Sequence, residues 1–200
     1  LKFILKVLAV KLLKKHRPKI IAITGSVGKT TTKDAIFHVL SSIPEYKVLR
    51  NEGNLNNEFG LPLTILEEKP QHGLFSWAVL ILRSFIKVIK SKTYYDILVL
   101  EMAADGPGDI VYLCKIAKPD ISVVTNVEKV HLLNYRSLDE LAHEKSTIIH
   151  MTDREGMVIL NIDNQNTRKM AQIVEQRTLF TFGMDKDAIV QAFDVQNTKL

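Results

Sequence analysis

Ile20-Ile21-Ala22-Ile23-Thr24-Gly25-Ser26-Val27-Gly28-Lys29-Thr30-Thr31 runs a β-branched strand into a glycine turn, then opens a helix with Gly-Lys-Thr. Recognition of a triphosphate needs these parts. Glycines let backbone N–H groups approach phosphate oxygens, and a helix N-terminus brings positive potential to them. Lys29 is placed to neutralise the outer phosphates, and a threonine hydroxyl to hold Mg²⁺. Gly25, Ser26, Val27, Gly28, Lys29, Thr30 and Thr31 are therefore the candidate nucleotide-binding residues. The longer Walker pattern would put glycine at position 23, which is Ile23 here, so a shorter Gly-x-x-Gly-Lys-Thr loop remains. An ordinary strand–turn–helix with a chance lysine is the alternative, and the order strand, loop, helix argues against it.

Outward from this stretch, period and punctuation alternate. Strands are expected at Lys19–Thr24, Tyr95–Met102, Asp120–Thr125, Met157–Asn161, Thr178–Phe182 and Ala188–Val195. Helices are expected at Thr30–Leu40, after Pro107 with Ile110, Leu113, Cys114 and Ala117 on one face, and at Leu138–His150. Ser137 followed by Glu140 gives that last helix a capping-box start. Strands separated by helices imply an α/β fold, a mainly parallel sheet with flanking helices of the P-loop NTPase-like kind.

With 46% apolar and 24% charged residues over 200, the chain buries a real core and is not a disordered segment. Its +5 charge is unevenly spread. Residues 1–19 carry seven Lys/Arg and no acid, residues 70–95 carry four and no acid, and the remainder is net −6. A nucleic-acid partner is therefore not expected. Both basic segments read as helices: residues 1–18 form an N-terminal helix, and Phe75–Lys90 gathers Ser76, Arg83, Lys87 and Lys90 on one edge. A helix packed on the domain with a solvated basic edge is the preferred reading, and weak contact with an anionic membrane surface the other. The single cysteine, Cys114, excludes an internal disulfide and a cysteine-cluster metal site. The longest unbroken apolar run, Trp77–Leu82, has six residues, far short of the roughly 18–20 that cross a bilayer. A cytoplasmic location is the working expectation. Because Leu1 opens the chain, a segment of something longer, or a processed chain, is expected.

Further candidates lie where the sheet would end. Glu101 closes the Tyr95–Glu101 strand, at the edge where open α/β sheets bind ligands, and reads equally as a Mg²⁺ ligand or as a structural strand-end acid. His131 follows Asp120–Thr125 by a short loop at the same edge, and reads first as an ordinary surface histidine and second as a site residue. Lys145 shares a helix stripe with Leu138, Leu141, Ala142 and Ile149, so it either snorkels to solvent or enters a site. Asn51-Glu52-Gly53-Asn54-Leu55-Asn56-Asn57-Glu58 is amide-rich, reading as turn chemistry or as a polar cradle, and precedes the apolar segment Phe59–Leu66.

Six collinear stretches, ITGSVGKTTTKDAI, NLNNEFGLPLTIL, LVLEMAADGPGDI, PDISVVTNVEKVHL, SLDELAHEKSTI and GMVILNIDN, resemble the central ATP-binding domain of the Mur ligases. The resemblance covers Lys19–Asn164 and implies that residues 19–200 are part of that domain. It implies an ATP-dependent carboxylate–amine ligase of peptidoglycan precursor synthesis, with ATP and Mg²⁺ as cofactors. The implied partners are a UDP-linked muramoyl peptide and an amine donor such as D-alanyl-D-alanine. By similarity Lys29 contacts phosphates, Thr30 and Glu101 hold magnesium, and His131 supports a second magnesium. Lys145 resembles the lysine that several members carry as a carbamate, and Asn57 lies in the loop expected near the reacting ends. Lys29, His131 and Lys145 are the implied catalytic set. The family usually has glycine near Glu128 or Lys129, which VEKVHL lacks. The substrate-handling N-terminal domain, the C-terminal domain and the adenine-associated asparagine motif fall outside the 200 residues, so this segment alone is expected to bind ATP weakly and not to complete a ligation. A superfamily ligase of folate or of an amino-acid polymer, and a non-catalytic P-loop module, are the competing readings.

Overall fold

The computed structural model describes residues 1–129 and 134–195. Seven strands form one sheet: β1 (Lys19–Thr24), β2 (Val48–Arg50), β3 (Ile97–Glu101), β4 (Ile121–Val124), β5 (Met157–Asn161), β6 (Thr178–Gly183) and β7 (Val190–Gln191). Their order is β2-β3-β1-β4-β5-β6-β7, with every pairing parallel. The expected parallel α/β sheet is borne out. Two strand expectations change. The three half-buried residues of β2 carry too short an apolar pattern to read as a strand. Of Ala188–Val195 only Val190 and Gln191 pair, because β7 is an edge strand with β6 as its one neighbour.

The helices are α1 (Lys2–His16), α2 (Lys29–Ser41), α3 (Gly60–Leu66), α4 (Leu74–Lys90), α5 (Asp109–Cys114), α6 (Leu138–Met151) and α7 (Gln165–Met170). One face of the sheet meets α2, where Ile21, Ile23, Val99 and Val123 pack with Ile36 and Leu40. The other face buries Ala22, Leu98, Leu100 and Leu160 with residues of α1, α3, α5 and α6. Cys114 belongs to this core, and burial pushes its thiol up to about 12. Leu5, Ala9 and Leu12 of α1 lie in it too, so residues 1–18 are packed on the sheet-bearing core.

All seven residues of α3 are buried, which explains why Phe59–Leu66 shows no amphipathic period. Pro62 sits in the first turn of α3, where a missing N–H costs nothing. The start of α5 is held from outside: Glu144 on α6 accepts from Gly108 N at 2.8 Å and Ile110 N at 2.8 Å. Ser137 accepts from Glu140 N at 3.1 Å as expected, but the Glu140 carboxylate takes Arg136 N at 2.6 Å rather than Ser137 N.

Helix α4 packs through Leu80 and Ser84, both at 0% exposure, with Trp77, Ile81 and Val88 partly buried against the same core, and turns its other large apolar residues outward. Leu80→Ala should cost about 2–4 kcal/mol in urea unfolding. Leu82→Ala, one turn edge away and exposed, should stay within about 0.5 kcal/mol. Equal costs would mean the helix faces the other way.

Candidate functional site

The loops leaving the C-terminal ends of β1, β3 and β4 meet at one sheet edge. Chain order reverses across β1: α2 carries the chain from β1 to the outer strand β2, whereas α5 carries it from β3 to β4 on the far side. Such a switch point is where open parallel sheets form a ligand crevice. A cavity of about 390 Å³ lies there, with Gly25, Ser26, Lys29, Asn57, Glu101 and Lys145 among its lining residues.

The glycine loop is tightly braced. Gly25 has φ +149°, and a Cβ there would lie 1.9 Å from Thr125 Oγ1, so no larger residue fits without rearrangement. Gly28, at φ +81°, is the N-cap of α2. From the loop after β4, Thr125 Oγ1 donates to Val27 O at 2.7 Å and Asn126 Oδ1 accepts from Val27 N at 2.8 Å. Ser26 Oγ accepts from Glu128 N at 2.9 Å. Glu128, where the family usually has glycine nearby, accepts from Asn164 Nδ2 at 2.7 Å and so ties this loop to the cap of α7.

Glu101 is 3% exposed, a carboxylate at the end of a fully buried strand. Thr30 Oγ1 donates to its Oε2 at 2.8 Å and Asn56 Nδ2 to its Oε1 at 2.9 Å. Its backbone is clamped by Asn51, which is itself fully buried: Asn51 Oδ1 accepts from Glu101 N at 2.8 Å and Nδ2 donates to Glu101 O at 3.0 Å. Lys33, 2% exposed, donates to Asn51 O at 2.8 Å and stands 4.0 Å from Glu101 Oε2. A strand-end carboxylate beside a threonine hydroxyl is a hard-oxygen donor pair, which fits Mg²⁺ completed by phosphate oxygens and water. Among the described residues there is no group of three or more His, Cys, Asp or Glu side chains that could hold a metal unaided.

Lys145 does not snorkel. It is 4% exposed, and its Nζ donates to Gly25 O at 3.0 Å inside the glycine loop. Burial first, and the nearby Lys29 charge second, push its ammonium down to about 8. Lys29 itself donates to Ser26 O at 3.2 Å, so two cations face the same cavity.

The structure therefore gathers Gly25, Ser26, Lys29, Thr30, Glu101 and Lys145. Val27, Gly28, Thr30 and Thr31 lie on the same loop and first helical turn without lining the cavity, Thr30 reaching it only through its bond to Glu101. Asn57 does line it, but its Oδ1 is engaged in accepting from Phe59 N at 3.2 Å and Gly60 N at 2.9 Å at the start of α3. Its neighbour Asn56 is the amide that touches Glu101. His131 lies outside the described residues. Lys33 is a site residue that the sequence reading misses, and Asn51 enters that reading only as one amide of the loop read as turn chemistry or a polar cradle. Asn51 resembles a turn asparagine in sequence, and Lys33 reads as one more polar residue of an amphipathic helix.

Residues 23–76 and 80–200 match the Mur ligase middle domain. The chain belongs to that family. It is 34% identical over 178 residues to the UDP-N-acetylmuramoyl-tripeptide–D-alanyl-D-alanine ligase of Synechocystis sp., covering 89% of this chain and 34% of that protein. The ligase of the same name from Bacillus subtilis is 35% identical over 141 residues, covering 70% of this chain and 25% of that one. A crystal structure of MurF from Acinetobacter baumannii superposes with a TM-score of 0.76 at 26% identity, over 98% of this chain and 37% of that one. MurF from Thermotoga maritima in complex with ADP gives 0.70 at 30% identity, over 90% and 36%. The chain thus spans about a third of the length of these Mur ligases.

Asn51→Leu removes three bonds from buried groups and should destabilise the fold by about 2–4 kcal/mol in urea unfolding. Asn54→Ala, on the exposed part of the same loop, should change it by under about 0.5 kcal/mol. Lys145 supplies a pH signature. Its folded value near 8 lies below its ordinary 10.5, so between those pH values the unfolded chain binds more protons than the folded one. Stability should therefore rise with pH across that window, and this rise should vanish in Lys145→Met. A slope unchanged by the substitution would show that Lys145 is not buried as an ammonium.

Proposed function

We propose that residues 19–200 serve as the middle domain of an ATP-dependent ligase that joins the carboxylate of a UDP-linked muramoyl peptide to an amine such as D-alanyl-D-alanine. The observation that carries this reading is the convergence of Lys29, Glu101 and Lys145 on one cavity at the switch point of the sheet, with Thr30 bonded to Glu101 beside it. In that reaction the γ-phosphoryl group of ATP passes to the substrate carboxylate, giving an acyl phosphate and ADP. The amine then attacks the acyl carbon, and phosphate leaves from a tetrahedral intermediate. ATP and a nucleotide-linked substrate go with a cytoplasmic location, and no helix among the described residues is long and apolar enough to cross a membrane.

The obstacle is electrostatic, because polyphosphate and carboxylate repel one another. Lys29 and the N-terminus of α2 bring positive potential to the phosphates. Thr30 and Glu101 would hold Mg²⁺, which when bound offsets the remaining negative charge. Asn51 and Lys33 keep Glu101 in place, and Asn56 orients its second oxygen.

Lys145 is the residue whose charge decides its role. As an ammonium it adds to the charge of Lys29. A pKa near 8 leaves part of it as neutral amine, which adds to CO₂ with loss of a proton and becomes a carbamate, an anion suited to a metal. The resemblance of SLDELAHEKSTI to the family's carbamylated lysine supports that assignment for Lys145, and His131 is proposed as a ligand of a second magnesium on the same resemblance.

The full-length protein should release phosphate from ATP only when both the muramoyl peptide and the amine are present. Lys29→Ala should abolish turnover, and release that persists without either substrate would contradict ligation. Lys145→Ala should lose at least about 100-fold in kcat and recover partly with added small carboxylates. Full activity without them would remove the carbamate from the account.

A further inference from the structure

The solvent side of α4 is apolar where a basic edge is expected. At 100° per residue, Leu74, Phe75, Leu82, Phe85, Ile86 and Ile89 fall within a stripe about 120° wide, and all six are exposed. Leu74 is 92% exposed, Phe75 83% and Phe85 50%. Soluble proteins seldom leave a contiguous patch of this kind uncovered. Lys90 borders the stripe, and so does Arg83, whose guanidinium is already paired with Glu68. The acids nearest this helix are already neutralised: Glu68 pairs with Arg83 at 2.7 Å and Glu67 with Lys87 at 2.9 Å.

Helix α1 extends the same surface. It joins α4 at their C-terminal ends, where Lys15 Nζ donates to Val88 O at 2.9 Å and Ile89 O at 2.8 Å, and His16 bonds Ser91 Oγ at 2.8 Å. Its solvent side carries Phe3 and Ile4 in the first half, then Lys11 and Lys14. Neither helix contains an acidic residue. Neither contributes to the lining of the nucleotide cavity.

We propose that the α1–α4 face docks the protein on the surface of an anionic lipid bilayer. An apolar stripe rimmed by Lys and Arg is the pattern of a helix lying in the interface plane, with side chains in the headgroup–acyl boundary and cations among anionic headgroups. The contact is peripheral, since no helix among the described residues is long and apolar enough to span. Charge complementarity selects the lipid over a second copy of the chain. Two such faces pressed together would oppose two acid-free basic surfaces, whereas an anionic bilayer neutralises one. The proposal stands independently of the ligase reading.

The test is co-sedimentation of the full-length protein with phosphatidylglycerol-containing vesicles and with pure phosphatidylcholine vesicles. The expected result is binding to the anionic vesicles that weakens as salt rises. Leu82→Glu with Phe85→Glu should reduce it by about tenfold or more. The milder set Lys11→Gln, Lys14→Gln and Lys90→Gln should reduce it severalfold, with ATP-dependent phosphate release at the wild-type rate. Three results would overturn the proposal: no binding to anionic vesicles, equal binding to neutral ones, or surface variants that bind like the wild type. A dimer abolished by the Leu82 and Phe85 changes, without vesicle binding, would likewise overturn it and assign the face to a second copy.

Discussion

A carboxylate withdrawn from water at the end of a central strand is costly unless its oxygens and its backbone are all engaged, and Glu101 meets that condition. Thr30 and Asn56 take its two oxygens, and Asn51 takes its N–H and C=O. Lys33 supplies a buried positive charge 4.0 Å away and is itself tethered to Asn51 O. The glycine loop, the first turns of α2, the amide-rich loop and β3 are thereby locked to one another. Removing any one of these partners leaves a charge or a backbone group unpaired, so the geometry of the cavity depends on this cluster more than on any apolar contact.

The parallel sheet was legible because its central strands are buried on both faces and therefore read as unbroken apolar runs. KIIAIT, ILVLE and ISVV all behave this way. Elements that break the periodic rules were not legible. Helix α3 is buried on every side and shows no stripe, β2 is three residues long, and Ala188–Val195 alternates well but has almost nothing to pair with. The solvent side of α4 was read by its charges, and the apolar stripe beside them proved the larger exposed feature.

Within the site, Lys29 and the threonines after it were readable from strand–loop–helix order, whereas Glu101 read equally as a structural strand-end acid and owed its magnesium role, like Thr30, to the family resemblance. Lys145 was readable from a conflict, a cation on an apolar stripe, which the fold resolves by burying the amine against Gly25 O. Lys33 was not readable as part of the site, and Asn51 was readable only as one amide of a polar loop. A buried clamp uses the same residue types as a solvated turn or helix face, and only the three-dimensional placement distinguishes them. The two lysines in the cavity share one feature: each donates to a backbone carbonyl of the glycine loop, Lys29 to Ser26 O and Lys145 to Gly25 O.

The central claim is that the cluster around Glu101 is built to receive a magnesium–nucleotide complex. Crystals of the full-length protein grown with a non-hydrolysable ATP analogue and Mn²⁺, with diffraction recorded at the manganese edge, test it most directly. The account predicts an anomalous peak coordinated by Glu101 and Thr30, with the phosphates against Lys29 and the glycine loop. A nucleotide bound elsewhere, or a metal that leaves Glu101 uncoordinated beside a bound nucleotide, would contradict it.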